Sequence, residues 1–468
     1  MSRKGWVVAV WMLLALTGAA HADTDRLIAN AMRYDLEYPG IGYSGPAHDN
    51  RIWRFQQKLN SGELKLQWEP HFGYLRSVLK ALEIDPSSQI MVFSKTSLQT
   101  SVINEQTPRA IFYNDDTYVG FVLNTDLMEF ASVDAKVGIV YFGMINRQDT
   151  APVLERDGGR CLTCHDTYSM MGGGVPRVMI MSAPVDDPAD TRTFGSASEV
   201  DDRTPIAERW GGWYLSGWYQ PGRGAPPVTH FGNLPLRTET PGHQGDRLRE
   251  LIPGRDNLGN VSAYFDTSLY LTDKSDVVAL LVSEHQTFVQ NLITRVLYKV
   301  STIMSQSGGG LAPAGPAAPA GPAPRNWSDI EPRRQAALKQ VCEPLIRALF
   351  FTDAVPLTGQ VITSSGFTER FAQRGPKDSE GRSLRDLKLE KRLFRYPLSY
   401  MVYTDSFNTL PPFVREYIDA RIVEVLQGRD QTGISAKLAA DDRAAIGQIL
   451  ADTLPRFAAP LGLKTARR

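Results

Sequence analysis

The chain has 468 residues, of which 42% are hydrophobic, so it can bury an ordinary core and is long enough for two or three domains. Lys plus Arg and Asp plus Glu both number 51, which gives a formal net charge of +0 at pH 7. No net positive field is therefore available to attract nucleic acid or an acidic membrane surface, and we expect neither as a partner.

The N-terminus has the pattern of a secretory leader. Arg3 and Lys4 precede an apolar stretch over 6–16, and a small-residue cleavage pattern ends at Ala22. This predicts a signal peptide over 1–22 and export to the periplasm. The apolar stretch is shorter than the ~20 residues that a membrane span needs, so we expect no stable membrane span in the mature chain.

The region from 23 to 157 combines helical periodicity with later strand patterns. Apolar residues recur at helix spacing over 51–59 and 72–82. Segments rich in Ile, Val, Phe and Tyr follow at 89–94, 109–114, 117–122 and 137–146. The middle two are separated by Asp115 and Asp116 at a predicted hairpin turn. We therefore predict a small antiparallel sheet of four or five strands.

The region from 158 to 304 is rich in Gly and Pro and predicts a loop-rich structure with short strands at 177–182 and 212–219. A long amphipathic helix is predicted to close this region, over 276–303. The next segment, 305–326, is rich in Gly, Ala and Pro and predicts a linker or surface insertion.

The remaining residues, 327–468, predict a helical C-terminal region. Ser328 to Glu331 has the form of a capping box, and 411–426 has apolar residues at helix spacing with Gly428 just past its end. Together these regions predict an α+β fold with a helical N-terminal segment, a small antiparallel sheet, a loop-rich centre and a helical C-terminal part.

Cys161, Cys164 and His165 form a C-x-x-C-H string, and only three cysteines occur in the chain. Two thiols at this spacing can each add across a vinyl group of one porphyrin, and the following His can ligate its iron. Shuffling this composition produces such a string in roughly three cases per ten thousand. The third cysteine, Cys342, lies on the apolar side of a helical pattern and predicts an inert buried thiol.

Two other interpretations of the motif remain open. A thioredoxin-like dithiol would have its C-x-x-C at the start of a helix that follows a strand, whereas here it follows a Gly-rich loop. A structural zinc site needs four N or S ligands, and no second cysteine pair accompanies Cys161 and Cys164. We favour haem over both.

The five residues from Cys161 to His165 resemble those of the c-type cytochromes, and in particular of single-haem periplasmic proteins with a cytochrome c domain. The resemblance implies one covalent haem c, thioether attachment at Cys161 and Cys164, and His165 as the proximal iron ligand. It also implies electron transfer. Since a long region precedes the motif here, we do not expect the plain small cytochrome c fold.

The sixth iron ligand separates electron transfer from small-molecule chemistry. Our first candidate is His230, in a loop after an aromatic stretch, and the second is His285, a polar position within the long helix. Met179 and Met181 rank third, because their alternation with apolar neighbours also fits core packing. We treat three further histidines as bystanders: His48, His71 and His243.

Two functions of different classes therefore remain: a one-electron carrier, which we favour, and a haem enzyme or gas or redox sensor with an exchangeable sixth site. The implied partners are redox proteins of the periplasm, for which the region 327–468 is a candidate docking surface. Glu199, Asp201 and Asp202 are interpreted as a solvated loop rather than a cation site. The sequence specifies neither electron donor and acceptor, nor substrate, nor oligomeric state.

Overall fold

A computed structural model describes residues 41–45, 49–166, 175–183, 197–221, 259–305, 324–357, 359–363 and 365–464. The predicted signal peptide over 1–22 and most of the predicted linker over 305–326 lie outside these ranges. The described residues form an α+β fold, as the sequence predicts, with an antiparallel sheet and a helical C-terminal part.

The N-terminal helices begin where polar side chains can cap them. Helix α1 (Arg51–Asn60) starts after Asn50, whose side-chain carbonyl accepts a hydrogen bond from Trp53 N at 2.8 Å. Helix α2 (Leu75–Ala81) follows after a turn. Helix α1 extends one residue past its predicted segment and α2 lies within its own, and both pack on one face of the sheet.

The strands are short and most are paired with a neighbour in sequence. They are β1 (Ile90–Val92), β2 (Arg109–Tyr113), β3 (Thr117–Phe121), β4 (Leu127–Asp134), β5 (Gly138–Ile145), β6 (Leu154–Arg156), β7 (Met181–Ser182), β8 (Ser198–Glu199), β9 (Trp213–Tyr214), β10 (Trp218–Pro221), β11 (Gly359–Ile362), β12 (Leu387–Glu390) and β13 (Arg392–Phe394). The main sheet has seven strands in the order β6-β5-β4-β3-β2-β1-β9, all antiparallel. The sequence predicted four or five.

The two faces of the main sheet contribute to two different hydrophobic cores. Because side chains alternate along a strand, Phe112, Val119 and Phe130 point to the face that packs against α1 and α2. Tyr113 and Tyr118 belong to the opposite core, which includes the long helix behind the sheet. The rest of that second face lines a cavity, described below.

Eight further α-helices lie in the described ranges. They are α3 (Leu162–His165), α4 (Val277–Ser305), α5 (Pro332–Leu349), α6 (Phe367–Gln373), α7 (Asp405–Asn408), α8 (Pro412–Leu426), α9 (Ala440–Thr453) and α10 (Ala458–Leu461). Helix α4 matches the prediction to within two residues at each end. The Asp276 carboxylate caps its N-terminus by accepting hydrogen bonds from Val278 N (2.8 Å) and Ala279 N (2.9 Å).

The C-terminal part is helical, and α5 packs on α4. It also contains strands that the sequence did not predict: β11 pairs with β10, and β12 with β13. The capping box predicted at Ser328 to Glu331 does not form: Asn326 and Asp329 make one instead, around a single 3₁₀ turn (Trp327–Asp329). Helix α5 starts afterwards with Pro332 at its first turn, where the missing N–H of proline costs no hydrogen bond.

One hydrophobic core runs through the sheet, α4 and the C-terminal helices, and a second lies between the sheet and the N-terminal helices. The predicted region boundaries at 157, 304 and 326 stay predictions, and the larger core crosses them. Within the described ranges no helix is both long and apolar enough to cross a membrane.

Candidate functional site

The turn that carries the motif is held by a carboxylate. Asp157 Oδ2 accepts hydrogen bonds from Gly159 N and Cys161 N, both at 2.9 Å, and α3 begins at the next residue. His165 N then donates to Cys161 O at 3.0 Å. Positions three residues apart on a helical turn lie on one side of it, so both thiols share a face.

That face meets a cavity of about 1100 Å³ between strands β2 to β5 and residues 178–181. Cys161, Cys164 and His165 all line it. Its volume is slightly above the ~300–1,000 Å³ typical of small-molecule sites, so a large planar cofactor is compatible with it. Apolar and aromatic side chains supply much of the wall, among them Ile111, Leu127, Tyr141, Ile145, Val178, Ile180 and Trp213.

His165 is oriented by a backbone carbonyl. Its Nδ1 lies 2.8 Å from Arg177 O, and since a carbonyl can only accept, Nδ1 carries the proton. Arg177 N donates back to His165 O at 3.1 Å, and the Tyr141 hydroxyl donates to the same Arg177 carbonyl. The Tyr141 ring lies 4.8 Å from the imidazole. This leaves Nε2 as the nitrogen with a lone pair, which is how histidine ligands of metals are usually held.

The protonation of the imidazole fits that role. Burial, together with the positive charges of Arg109 and Arg177, lowers the pKa of His165 to about 4. At neutral pH the ring is therefore uncharged, as an iron ligand must be.

The pKa values of the two thiols are shifted in the opposite direction, upward. Burial and the neighbouring Asp157 carboxylate raise the pKa of Cys161 to about 12, and burial raises the pKa of Cys164 as well. Both are free thiols. A redox-active dithiol needs a depressed thiol pKa, so this environment argues against the thioredoxin-like alternative.

An ion pair lies in the cavity wall. Arg109 Nη2 is 3.0 Å from Glu129 Oε2, and both side chains line the cavity. Arg109 lies across Gly120, where a Cβ would come within 2.7 Å of its guanidinium. The glycine therefore leaves room for a charged group in an otherwise largely apolar wall.

Comparisons with known proteins were made by sequence and by structure. No protein-family model, curated protein or solved structure matches this chain. Within the described residues, moreover, no group of three or more His, Cys, Asp or Glu side chains is placed to hold a metal ion. A haem iron needs no such group, because the porphyrin supplies four of its ligands and the protein one or two.

The structure describes some of the predicted distal ligands. His230 lies outside the described residues. His285 is fully buried, does not line the cavity, and has both nitrogens engaged: Nδ1 is 2.6 Å from Asp202 Oδ2, and Nε2 is 2.7 Å from Ser399 Oγ. This argues against His285 as an iron ligand and favours a hydrogen-bonded structural role.

Met179 and Met181 do line the cavity. They follow Arg177 by two and four residues, and the Arg177 carbonyl holds the Nδ1 side of the His165 ring. Since both residues line the cavity that His165 also lines, their thioethers stay candidates for the sixth ligand.

Asp202, His285 and Ser399 form an aspartate–histidine–serine chain that no sequence pattern indicated. The order of hydrogen bonds is that of a hydrolase triad. Ser399 and His285 have no exposed surface, however, and Ser399 Oγ also accepts from Met401 N at 3.2 Å. Because a substrate has no route to the hydroxyl, we assign these hydrogen bonds a structural role: they connect α4 to the C-terminal part.

The acidic residues of 199–202 are engaged rather than solvated. Glu199 pairs with Arg177 at 2.7 Å, Asp201 with Arg203 at 2.5 Å, and Asp202 with His285. Cys342 is fully buried, and burial raises its thiol pKa to about 12, in keeping with an unreactive position.

Proposed function

We propose that this chain is a c-type haem protein of the periplasm that transfers single electrons. Cys161 and Cys164 would carry the thioether bonds, and His165 Nε2 would ligate the iron. The observation that supports this most is that both thiols and a backbone-anchored, neutral imidazole line one cavity of about 1100 Å³.

The attachment chemistry needs no oxidant. Each S–H adds across one vinyl C=C, so the hydrogen goes to carbon, the sulfur forms a C–S bond, and nothing is lost. Haem c, when bound, supplies a one-electron iron couple. The chain's own residues supply the rest: the Arg177 carbonyl orients His165, and the apolar wall excludes water from the site.

One observation favours a second candidate function, a haem enzyme or sensor with an exchangeable sixth site. His285, the second distal ligand predicted from the sequence, is held by Asp202 and Ser399 and does not line the cavity. A six-coordinate carrier would therefore need another ligand, either His230, outside the described ranges, or one of the methionines 179 and 181.

The attachment is tested by producing the full chain in a bacterium that matures c-type cytochromes. We expect the purified protein, boiled in detergent and run on a gel, to keep haem-dependent peroxidase staining and the added mass of one haem. Cys161→Ala combined with Cys164→Ala should abolish both. The matched control is Cys342→Ala, which removes the third cysteine, away from the cavity, and should keep them. An unstained wild-type band would overturn the proposal.

The carrier and the open-site protein are distinguished by the reduced absorption spectrum in carbon monoxide. A carrier should show no rapid change in the Soret band, and His230→Ala should then create one. His243→Ala is the control, since it removes a histidine that we treat as a bystander. A rapid change in the wild-type protein would instead select the exchangeable site.

A further inference from the structure

A second cavity, of about 410 Å³, lies beside α4 and reaches the haem motif through one residue, Arg177. Its wall is formed by residues 175–177, residues 199–203, one side of α4 and the end of α5. The Arg177 side chain lines this cavity, while its backbone carbonyl holds His165.

Arg177 has hydrogen-bond donors that the protein does not use. Its side chain is 2% exposed, and Nη1 donates to Glu199 Oε2 at 2.7 Å. Nε and Nη2 are buried without a partner. Buried charged N–H groups are seldom left unpaired in native proteins, because each loses its hydration without compensation. Such a group beside a cavity indicates a site for an acceptor that the chain itself does not provide.

A second cation, Arg295, lines the same cavity. Asn291 binds both Val178 N (3.0 Å) and Val178 O (2.7 Å), which fixes residues 177–178 against the turn of α4 that carries Arg295. Arg295 lines the cavity, is exposed, and has no ion pair among the described residues.

The other charges around the cavity are already paired. Asp201 pairs with Arg203 and Asp353 with Arg347, each at 2.5 Å, while Asp202 binds His285 and Glu199 binds Arg177. Among the described residues, the cavity therefore offers a ligand the unused guanidinium donors of Arg177 and Arg295, together with the unpartnered hydroxyl of Thr352. Guanidinium groups bind carboxylates with well-directed, charge-assisted hydrogen bonds.

The size and the rest of the wall select the kind of anion. The volume is far above the ~30 Å³ of a water molecule and falls within the ~300–1,000 Å³ range of small-molecule sites. Phe288, Leu292 and Phe351 give one side of the cavity an apolar surface. We propose that it binds a small organic carboxylate, with the carboxylate at Arg177 and Arg295 and the apolar body against Phe288 and Leu292.

A functional consequence rests on the proposed haem role. A ligand on the Arg177 guanidinium acts on the same residue whose carbonyl accepts from His165 Nδ1. Any change in that hydrogen bond alters the basicity of the iron ligand. Occupation of the cavity should therefore shift the midpoint potential of the haem.

The binding site is tested by calorimetric titration of the purified full chain with benzoate, its neutral isostere benzamide, and inorganic phosphate. We expect saturable 1:1 binding of benzoate, with benzamide and phosphate at least about tenfold weaker. Arg295→Gln should weaken benzoate by about tenfold or more. Lys299→Gln, which removes one positive charge one turn further along α4 but away from the cavity, should not.

Arg177→Met is the second variant and should weaken benzoate as Arg295→Gln does. Its thermal unfolding shows whether it folds. Absence of saturable benzoate binding, equal affinity for benzamide, or equal effects of Arg295→Gln and Lys299→Gln would each overturn the anion site. The titration gives its answer whether or not haem is attached, so it fails separately from the proposed function. The potential is measured with and without saturating benzoate, and an unchanged value would overturn the coupling alone.

Discussion

The carbonyl of Arg177 accepts from two donors, His165 Nδ1 and the Tyr141 hydroxyl, and this sharing sets how strongly the imidazole is held. A carbonyl that serves two donors binds each less strongly than one that serves a single donor. The strength of the Nδ1–H bond in turn governs how much electron density Nε2 offers to a metal. A single hydroxyl, distant from any iron, is thus expected to tune the site.

We expect Tyr141→Phe to lower the midpoint potential of the proposed haem by about 20–60 mV, the equivalent of a hydrogen bond of about 0.5–1.4 kcal/mol. The substitution frees the carbonyl for His165, and a more basic ligand stabilises ferric iron. Spectroelectrochemical titration measures the change. Tyr43→Phe is the control, since the Tyr43 hydroxyl donates to Ile139 O at 3.0 Å instead. A higher or unchanged potential would contradict this role for Tyr141.

At the scale of elements, helix α4 is the part that joins the others. Three consecutive buried residues each reach a different part of the chain: Glu284 binds Arg209 and Trp210, His285 binds Asp202 and Ser399, and Gln286 binds Asn114, Tyr118 and Tyr400. A buried helix with polar residues in sequence needs partners on several sides. These bonds fix the register of α4 against the sheet and the C-terminal part.

Glu284 makes one of these contacts sensitive to pH. Burial raises its pKa to about 7, more than Arg209 and Trp210 lower it. The unfolded chain loses this proton near pH 4.3. Between these values the folded state binds more protons, so the free energy of unfolding falls as the pH rises from about 4.3 to 7, by at most ~1.4 kcal/mol per pH unit.

Replacing Glu284 with Gln keeps an acceptor for Trp210 and removes the titration. We expect the stability of the wild type, relative to this variant, to fall between pH 5 and pH 7.5. Urea denaturation at the two pH values measures it, with Glu369→Gln, an exposed glutamate on α6, as the control. If the wild type and Glu284→Gln changed in parallel, Glu284 would not titrate in this range.

Local patterns predicted the elements well, and pairings distant in sequence were missed. Helix α4 follows from its own apolar periodicity, and α1 and α2 likewise. The edge pairing of β9 with β1 joins residues more than a hundred positions apart, which periodicity cannot show. At the site, the motif marks three residues, but the Arg177 carbonyl is backbone and leaves no trace in the sequence. The hydrogen-bond partners of His285 are likewise distant: Asp202 and Ser399 lie 83 and 114 residues away in the chain.

At the scale of the whole molecule, the C-terminal part is clamped to the sheet at the turn between β2 and β3. Arg374 and Arg385 both pair with the Asp115 carboxylate at this turn. The Arg385 guanidinium is almost fully buried and lies over the rings of Phe371 and Tyr400, at 4.8 and 4.3 Å. Residues far apart in the chain thus share one carboxylate, and the two parts should unfold together.

We expect Asp115→Ala to lower the free energy of unfolding by about 1–3 kcal/mol, because it leaves Arg385 buried without its anion. The value is below the ~3–5 kcal/mol of a fully buried pair because Asp115 is 32% exposed and the two rings still stabilise the cation. Asp126→Ala is the matched control: its pair with Arg147 spans 3.7 Å between exposed side chains and should contribute less than about 0.5 kcal/mol. Urea denaturation followed by both tryptophan fluorescence and far-ultraviolet circular dichroism measures the loss. The two signals should keep a common midpoint in the wild type. If Asp115→Ala and Asp126→Ala lowered the free energy of unfolding equally, the clamp at Asp115 would not join the C-terminal part to the sheet.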